Sequence, residues 1–215
     1  MTSTIVFPAH FPLTLHERAQ APDVLRAKAT FEEYLELAEI CPYNLEYING
    51  EIVSMSKASL PHELLVARLA TILNILFDDD DERQIFSSNI VIHVAATGNS
   101  YNADVSIVQG EPDYFRLPSG LLSTSGVTNP ELVVEVLSKS TMAYDLNEKL
   151  EDYKQIPSLQ QVLFVSQHRA SVSSYLRTET PGVWLNTSFH ALTDEVVVLN
   201  KPVLVSTIYR KFRFC

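Results

Sequence analysis

The sequence has few residues that could form disulfide bridges or structural zinc sites. Its 215 residues include two cysteines, Cys41 and Cys215. Two cysteines so far apart provide neither the disulfide framework of a small secreted domain nor the close spacing of metal ligands. We therefore expect both to be free thiols in a reducing compartment.

Long hydrophobic runs are also absent. No stretch approaches the roughly 20 apolar residues that a membrane helix needs, and the first residues lack a basic region followed by a sustained apolar one. These absences predict a cytoplasmic protein without a membrane segment. Because 46% of the residues are hydrophobic, the chain can bury one substantial core, so we expect one main domain.

Positive charge is scarce. The chain has 16 lysines and arginines against 26 aspartates and glutamates, which gives a net charge of −10. This balance argues against a protein that coats nucleic acid, because neutralising phosphate normally supplies most of that affinity. It does not exclude a nuclease, whose carboxylates bind a divalent ion. We interpret the acidic run 78–82 as a solvated turn, since consecutive carboxylates lack partners that would orient them on a metal.

Composition divides the chain into three segments. Residues 1–28 are rich in proline and predict an arm that packs on the domain or on a second subunit. Residues 29–200 predict the main domain. Residues 201–215 contain basic residues and no acid, and we interpret them as a frayed, solvated tail, with contact to phosphate as the alternative.

Hydrophobic spacing predicts a mixture of helices and strands. Helices are expected at 31–40 and 60–77, and the Asn49-Gly50 pair between two strand-like runs predicts a hairpin. A helix over 140–156, between two strands, indicates a parallel crossover. The fold class is therefore α/β or α+β with a mixed sheet. The remaining strands are expected at 90–94, 104–108, 131–137, 161–166 and 171–176, with an antiparallel extension at 182–189 and 195–199.

Glu135 interrupts an apolar run, 131–138, that reads as a strand buried on both faces. Burying a polar group without a partner costs roughly 2–7 kcal/mol, and an isolated charge costs more. Such a residue is usually paired or coordinates a metal, so Glu135 is a candidate site residue.

Lys149 is a candidate partner on the following helix. At about 100° per residue, it falls on the buried face of the 140–156 helix. It could equally snorkel to solvent or pair with Asp145, one turn earlier.

Asp104 opens an earlier strand. Two carboxylates on adjacent strands could hold magnesium while a lysine orients or deprotonates a water, although many α/β proteins carry an Asp, a Glu and a Lys at such spacings.

A longer ordered set of residues points to one protein family. It comprises Tyr47-Ile-Asn-Gly-Glu-Ile-Val-Ser-Met55, Pro61-His62, Tyr101-Asn-Ala-Asp104-Val, Asn129-Pro-Glu-Leu-Val-Val-Glu135-Val-Leu-Ser138, Ser140-Thr141, Tyr144-Asp145, Glu148-Lys149 and Tyr153. From about residue 30 to 190, this set resembles the Uma2 family of restriction-endonuclease-like proteins. The resemblance implies a branch of the PD-(D/E)xK nuclease superfamily, with a mixed central sheet flanked by helices and a divalent metal, magnesium or alternatively manganese.

The resemblance places the metal ligands at Asp104 and Glu135. Ala103 stands where the motif has proline, and Leu137 stands where it has lysine. The lysine function of this family maps onto Lys149, with Lys139 as the rival. Gln161 stands where relatives commonly have a glutamate, and activity would be weaker here if that glutamate assists the site.

Three further residues are accessory candidates. Glu51 could complete a carboxylate cluster or could be an exposed strand position after the hairpin turn, and Glu46 is the other early acid. His62, after Pro61, could face the site or a phosphate, or could cap its helix.

The expected function is magnesium-dependent endonuclease cleavage of DNA by a homodimer, since two strands need two sites. Asp104, Glu135 and Lys149 are the expected catalytic residues. Two alternatives stay open. The fold could serve as a degenerate module that binds nucleic acid or protein, or it could carry a metal hydrolase for a small phosphorylated substrate.

Overall fold

The computed structural model describes residues 11–55, 58–88, 90–117, 120–138 and 142–214. None of the helices in this part of the chain is long and apolar enough to cross a membrane. The helices are α1 (Leu15–Gln20), α2 (Phe31–Ile40), α3 (Leu60–Leu76), α4 (Met142–Tyr144), α5 (Leu150–Tyr153) and α6 (Val205–Ile208). The strands are β1 (Val24–Lys28), β2 (Glu46–Ile48), β3 (Glu51–Met55), β4 (Arg83–Ser87), β5 (Val91–Val94), β6 (Asn99–Asn102), β7 (Val105–Gln109), β8 (Tyr114–Arg116), β9 (Leu122–Val127), β10 (Pro130–Leu137), β11 (Gln161–Ser166), β12 (Val172–Arg177), β13 (Trp184–Phe189), β14 (Glu195–Val198) and β15 (Lys201–Leu204).

The main sheet has the order β13-β12-β11-β10-β7-β4. Strands β10 and β11 are parallel, whereas β7 runs antiparallel to β10 and β12 antiparallel to β11. Parallel neighbours need a crossover connection, and the helical segment 142–153 provides it. The predicted mixed sheet with a parallel crossover is confirmed.

A second sheet has the order β1-β3-β2-β6-β5-β9-β8. Its β2–β3 hairpin turns at Asn49 and Gly50, whose φ angles of 51° and 81° are those of the turn that the Asn-Gly pair favours. Strand β1 pairs with β3, so the described end of the predicted arm packs on the domain as an edge strand. Residues 1–10 lie outside the described part.

Strand β10 divides the core into two parts. Leu132, Val134 and Val136 face one side, where α3 contributes Leu65 and Leu69 to the same apolar cluster. The other side of β10 presents Val133 and Leu137, which pack against Leu150 and Tyr153 of α5. Glu135 lies between Val133 and Leu137, so the side chain that breaks the apolar pattern faces the crossover helix.

The C-terminal segment corrects the interpretation of residues 201–215 as a frayed tail. Strand β15 pairs with β14, and α6 follows it directly. Val203, Val205, Ile208 and Phe212 are buried in the α3 side of the core. The apolar residues that anchor this segment are too few to show a helix or strand period, and the basic residues between them suggested a solvated end.

Candidate active site

Asp104 and Glu135 are neighbours across two paired strands. Asp104 immediately precedes β7, and the register pairs Val105 of β7 with Val134 of β10. One residue further along this antiparallel ladder, Asp104 lies beside Glu135. Asp104 Oδ2 accepts a hydrogen bond of 2.7 Å from the Val136 backbone N–H. The expectation that the two carboxylates lie on adjacent strands is confirmed.

Lys149 reaches the same place from the crossover helix. The helix changes from α4 into a π-helical segment, Asp145–Lys149, before it continues as α5. A π-helical turn places one more residue in each turn and shifts the faces of the following residues, and such turns recur at functional sites. Lys149 is 4% exposed, which confirms the prediction that its side chain follows the buried face.

Three oxygen atoms surround the Lys149 ammonium. Its Nζ lies 2.9 Å from Glu135 Oε1, 3.1 Å from Glu46 Oε1 and 3.1 Å from the Asn102 carbonyl oxygen. An ammonium has three N–H donors, so this arrangement can satisfy all of them. The pairing therefore joins Lys149 to Glu135, as the functional interpretation required, and also to Glu46.

Glu46 is the early acid that joins this cluster. Its Oε1 also accepts from the Asn102 backbone N–H at 3.0 Å, and its Oε2 accepts from the Tyr144 hydroxyl at 3.2 Å. Glu51, the other early acid, lies at the start of β3 and forms a 3.4 Å ion pair with Arg26, with about a third of its side chain exposed. The structure thus brings Glu46 to the candidate site and leaves Glu51 at the surface.

Two tyrosines that were not predicted as site residues complete the cluster. The Tyr153 hydroxyl donates to Glu135 Oε1 at 2.8 Å, and Tyr144 bonds Glu46 as described. The signal for Tyr153 was its i,i+4 spacing from Lys149, which puts both on one helix face. No comparable signal marks Tyr144, because the π-helical segment lies between it and Lys149.

His62 faces the site. Ser59 caps α3 by accepting a hydrogen bond from the His62 backbone N–H, which leaves the His62 ring free to reach away from the helix. Its Nε2 lies 3.0 Å from Asp104 Oδ1. Of the alternatives for His62, the structure supports the one in which the ring faces the site, because Ser59 is the residue that caps α3.

Gln161 lies apart from the cluster. Its amide donates to Ser174 Oγ and to the Val197 carbonyl oxygen, both at 2.8 Å, and its Oε1 accepts from the Leu199 backbone N–H. Gln161 thus ties the β14–β15 hairpin to the sheet, and the structure does not bring it to the candidate site. The rival lysine, Lys139, lies outside the described residues.

Burial governs the charges of this cluster. Burial raises the pKa of Glu135 to about 8; the Lys149 charge acts against this shift, and the charges of Asp104 and Asp145 add to it. Burial alone would lower the pKa of Lys149, but Glu135 and Glu46 outweigh it and raise that pKa well above its usual range. For His62, burial likewise acts to lower the pKa, and Asp104 raises it overall. The raised pKa of Lys149 favours its ammonium form, which donates hydrogen bonds.

The cluster opens into a cleft of about 1410 Å³ that could admit a phosphate-containing substrate. Glu46, His62, Asp104, Glu135 and Lys149 all line it. Within the described residues, no group of three His, Cys, Asp or Glu side chains is arranged to hold a metal. Magnesium commonly keeps several waters and uses one or two carboxylates together with substrate phosphate oxygens. Asp104 and Glu135 fit an ion of that kind.

Comparison with known proteins identifies the family. The model of the Uma2 family, described as "Putative restriction endonuclease", matches residues 31–203. The chain belongs to the Uma2 family. Two curated relatives come from Synechocystis sp., and both are named as uncharacterized proteins. The protein slr1290 is 32% identical over 197 residues, covering 91% of this chain and 99% of its own, and sll1609 is 33% identical over 146 residues, covering 68% and 79%.

A solved structure shares the fold of this Uma2 protein. It is the crystal structure of "a putative nuclease belonging to DUF820" from Anabaena variabilis. The two chains superpose with a TM-score of 0.62 over 92% of this chain and 98% of the other, at 16% sequence identity. The predicted restriction-endonuclease-like fold is thereby confirmed.

Proposed function

We propose that this Uma2 protein is a divalent-metal-dependent endonuclease of the PD-(D/E)xK type that hydrolyses DNA phosphodiester bonds. One observation carries the proposal: Lys149, delivered by the crossover helix, lies 2.9 Å from Glu135 in the cleft that also contains Asp104. Two carboxylates and a lysine at one point of a cleft are the groups that a metal-assisted phosphodiester hydrolase needs. The nuclease descriptions of the family and of the structural neighbour agree with this chemistry.

Asp104 and Glu135 are the proposed metal ligands. Magnesium, or manganese in its place, would supply a Lewis acid for the phosphate and a more acidic bound water. The Val136 backbone N–H holds Asp104 Oδ2, and the Tyr153 hydroxyl holds Glu135 Oε1. These two hydrogen bonds fix the orientation of the carboxylates before a metal or substrate binds. Hydrogen bonds of this kind orient the side chains that bind a metal.

Lys149 supplies positive charge where negative charge develops on the phosphate. Because its pKa is raised, Lys149 is protonated. Its ammonium would orient the attacking water by donating a hydrogen bond to it in place of one of its three present acceptors. Glu46 holds the ammonium from the opposite side at 3.1 Å. This arrangement explains how Leu137 can replace the motif lysine without removing the positive charge from the site.

A homodimer is part of the proposal for duplex substrates. Each chain offers one such cluster, and cutting both strands requires two. Sedimentation velocity of the purified protein, alone and with duplex DNA, should show a dimer. A monomer in both conditions would restrict the proposal to nicking or to single-stranded DNA.

The proposal is tested by cleavage of plasmid and single-stranded DNA with magnesium or manganese. Asp104→Asn should abolish cleavage, whereas Asp81→Asn, an exposed aspartate in the acidic turn, should cleave as wild type does. Absence of both cleavage and a metal-induced thermal shift in the wild type would favour the degenerate binding module. Turnover of small phosphodiesters without DNA cleavage would favour the small-substrate hydrolase.

A further inference from the structure

Most of the exposed basic residues of this acidic protein lie in two short segments that hydrogen bonds join to each other. Four of the seven exposed lysines and arginines in the described part of the chain belong to two short segments, 167–170 and 209–214. We call these four residues, Arg169, Arg210, Lys211 and Arg213, the basic surface. The other three are Arg26, Lys28 and Arg116. With a net charge of −10 for the chain, such clustering makes this region locally positive.

The first segment, the turn between β11 and β12, borders the candidate active site. Strand β10 ends two residues after Glu135, and the Gln167 backbone N–H approaches the Leu137 carbonyl oxygen at 3.4 Å. The Gln167 side chain accepts a hydrogen bond of 2.9 Å from Ser59, the cap of α3. Gln167 and His168 both line the cleft. The exposed Arg169 therefore follows directly on the rim of the cleft.

The second segment is fastened to the same turn by Tyr209. The Tyr209 hydroxyl lies 2.8 Å from the Ser166 carbonyl oxygen and 2.9 Å from that of Ser171, the residues on either side of the turn. Lys211 then adopts a left-handed backbone conformation, with φ 59°, and Phe212 returns to the core. This reversal leaves Arg210 and Lys211 exposed on a short, anchored segment, so their positions relative to the cleft are defined by the fold.

His168, which lines the cleft at this rim, has a ring nitrogen without a protein partner among the described residues. Its Nε2 is buried and has no hydrogen-bond partner within the described residues. Buried polar side-chain atoms are nearly always satisfied by protein, ordered water or a bound group, so this nitrogen can accept a partner from outside the protein. An imidazole nitrogen can donate to a phosphate oxygen.

We propose that the basic surface binds the phosphate backbone of a DNA strand where that strand leaves the cleft past His168. This inference rests on the proposed function, because it assumes that the cleft holds a phosphodiester of the same strand. Arginine and lysine are the side chains that contact DNA phosphates, and these contacts position the duplex or strand without reading its sequence.

The test measures DNA binding without cleavage. Fluorescence anisotropy of labelled single-stranded and duplex oligodeoxynucleotides, in chelator and over a range of salt concentrations, would compare two triple variants. One is Arg169→Ala/Arg210→Ala/Lys211→Ala, and the matched control is Arg26→Ala/Lys28→Ala/Arg116→Ala, which removes the same residue types from other exposed positions. Circular dichroism would verify that both are folded.

The basic-surface variant should bind more weakly, and the slope of log affinity against log salt should shrink by about 2 to 3, roughly one for each lost phosphate contact. The control should keep the wild-type slope. An unchanged slope in the basic-surface variant, an equal change in the control, or no DNA binding by the wild type would overturn the inference. Normal binding that depends on the basic surface, without cleavage in magnesium, would support this inference and contradict the proposed function. Hydrolysis of an aryl phosphodiester without DNA binding would contradict the inference and leave the hydrolytic site standing.

Discussion

The two faces of β10 come from one strand and have opposite chemistry. On one face, Leu132, Val134 and Val136 pack into an apolar cluster with α3 and the C-terminal segment. On the other face, Glu135 sits among apolar neighbours and pairs with Lys149, which Glu46 holds in turn. Both faces are buried, so solvent exposure does not account for the difference.

The comparison shows that the apolar face of β10 contributes to the free energy of folding, whereas burying the charged face costs free energy. Apolar side chains gain free energy simply by leaving water, roughly 25 cal/mol per Å². A buried ion cluster must recover a desolvation penalty through its pairing, and replacing such a cluster by apolar residues is often neutral or stabilising. The charged residues on the Glu135 face therefore stabilise the fold less than apolar residues in the same place would. This is consistent with a role in chemistry rather than in stability.

Removing the cation alone should have the largest effect on stability. Lys149→Met keeps the length of the side chain and leaves the Glu135 and Glu46 carboxylates buried without their partner. We expect the free energy of unfolding to fall by about 3–5 kcal/mol, measured by urea denaturation. A loss below about 1 kcal/mol would mean that the cluster is not desolvated as the structure indicates.

Neutralising the whole cluster is the control for that prediction. The triple variant Lys149→Met/Glu135→Gln/Glu46→Gln should recover most of the lost stability, because no unpaired charge remains buried. Cleavage should stay absent in it. Recovery of stability without recovery of activity separates the structural effect of the charge from its proposed chemical role.

The apolar face should show the reverse pattern. Leu132→Ala removes a fully buried side chain and leaves a cavity beside α3, at an expected cost of about 2–5 kcal/mol. The cleavage rate per folded molecule should match wild type, because Leu132 faces away from Glu135. Calorimetry together with the plasmid assay would check both parts, and a loss of activity in fully folded protein would contradict the separation of the two faces.

Gln161 should behave as a structural residue. Gln161→Ala leaves the Leu199 N–H and the Val197 carbonyl oxygen without their partner, at a cost of about 1–3 kcal/mol. Thermal denaturation should detect this loss. Cleavage should be unaffected, and a selective fall in activity at equal folding would place Gln161 in the site after all.

Glu51 should matter least. Its pair with Arg26 is partly exposed and 3.4 Å long, and exposed pairs contribute about 0–1 kcal/mol. Glu51→Gln should therefore change neither urea denaturation nor DNA cleavage measurably. The matched substitution Glu46→Gln should change both, because Glu46 is buried against Lys149.

The sequence predicted the elements whose residues carry a strong local pattern. Helix α2 and strands β3 and β11 begin and end where expected, because periodic apolar residues or the Asn-Gly turn define them. Six strands were not predicted: β1, β4, β6, β8, β9 and β15. Strand β6 is the polar run Asn99–Asn102, and it is held by tertiary contacts such as the 2.6 Å hydrogen bond from Asn99 to Asp152, which no local pattern reveals.

In the candidate site, too, the residues that could be predicted are those with a strong local sequence pattern. Asp104, Glu135 and Lys149 could be identified because a charge in an apolar strand or on a buried helix face is costly. The choice between Glu46 and Glu51 could not be made, since both are acids in the two strands of one hairpin. What separates them is contact with Tyr144 and Lys149, and no local sequence pattern marks the π-helical segment that begins after Tyr144 and ends at Lys149.

The most direct test of the account is the DNA cleavage rate of four proteins in magnesium: wild type, Lys149→Met, Lys154→Met and the double variant Leu137→Lys/Lys149→Met. Lys154, which directly follows α5, controls for loss of a nearby lysine. Leu137 lies on the Glu135 face of β10. We predict that Lys149→Met lowers the rate by about a hundredfold or more, that Lys154→Met leaves it unchanged, and that a lysine at position 137 restores part of it. A wild-type rate in folded Lys149→Met would contradict the account, because the site would then work without the lysine on which it is built.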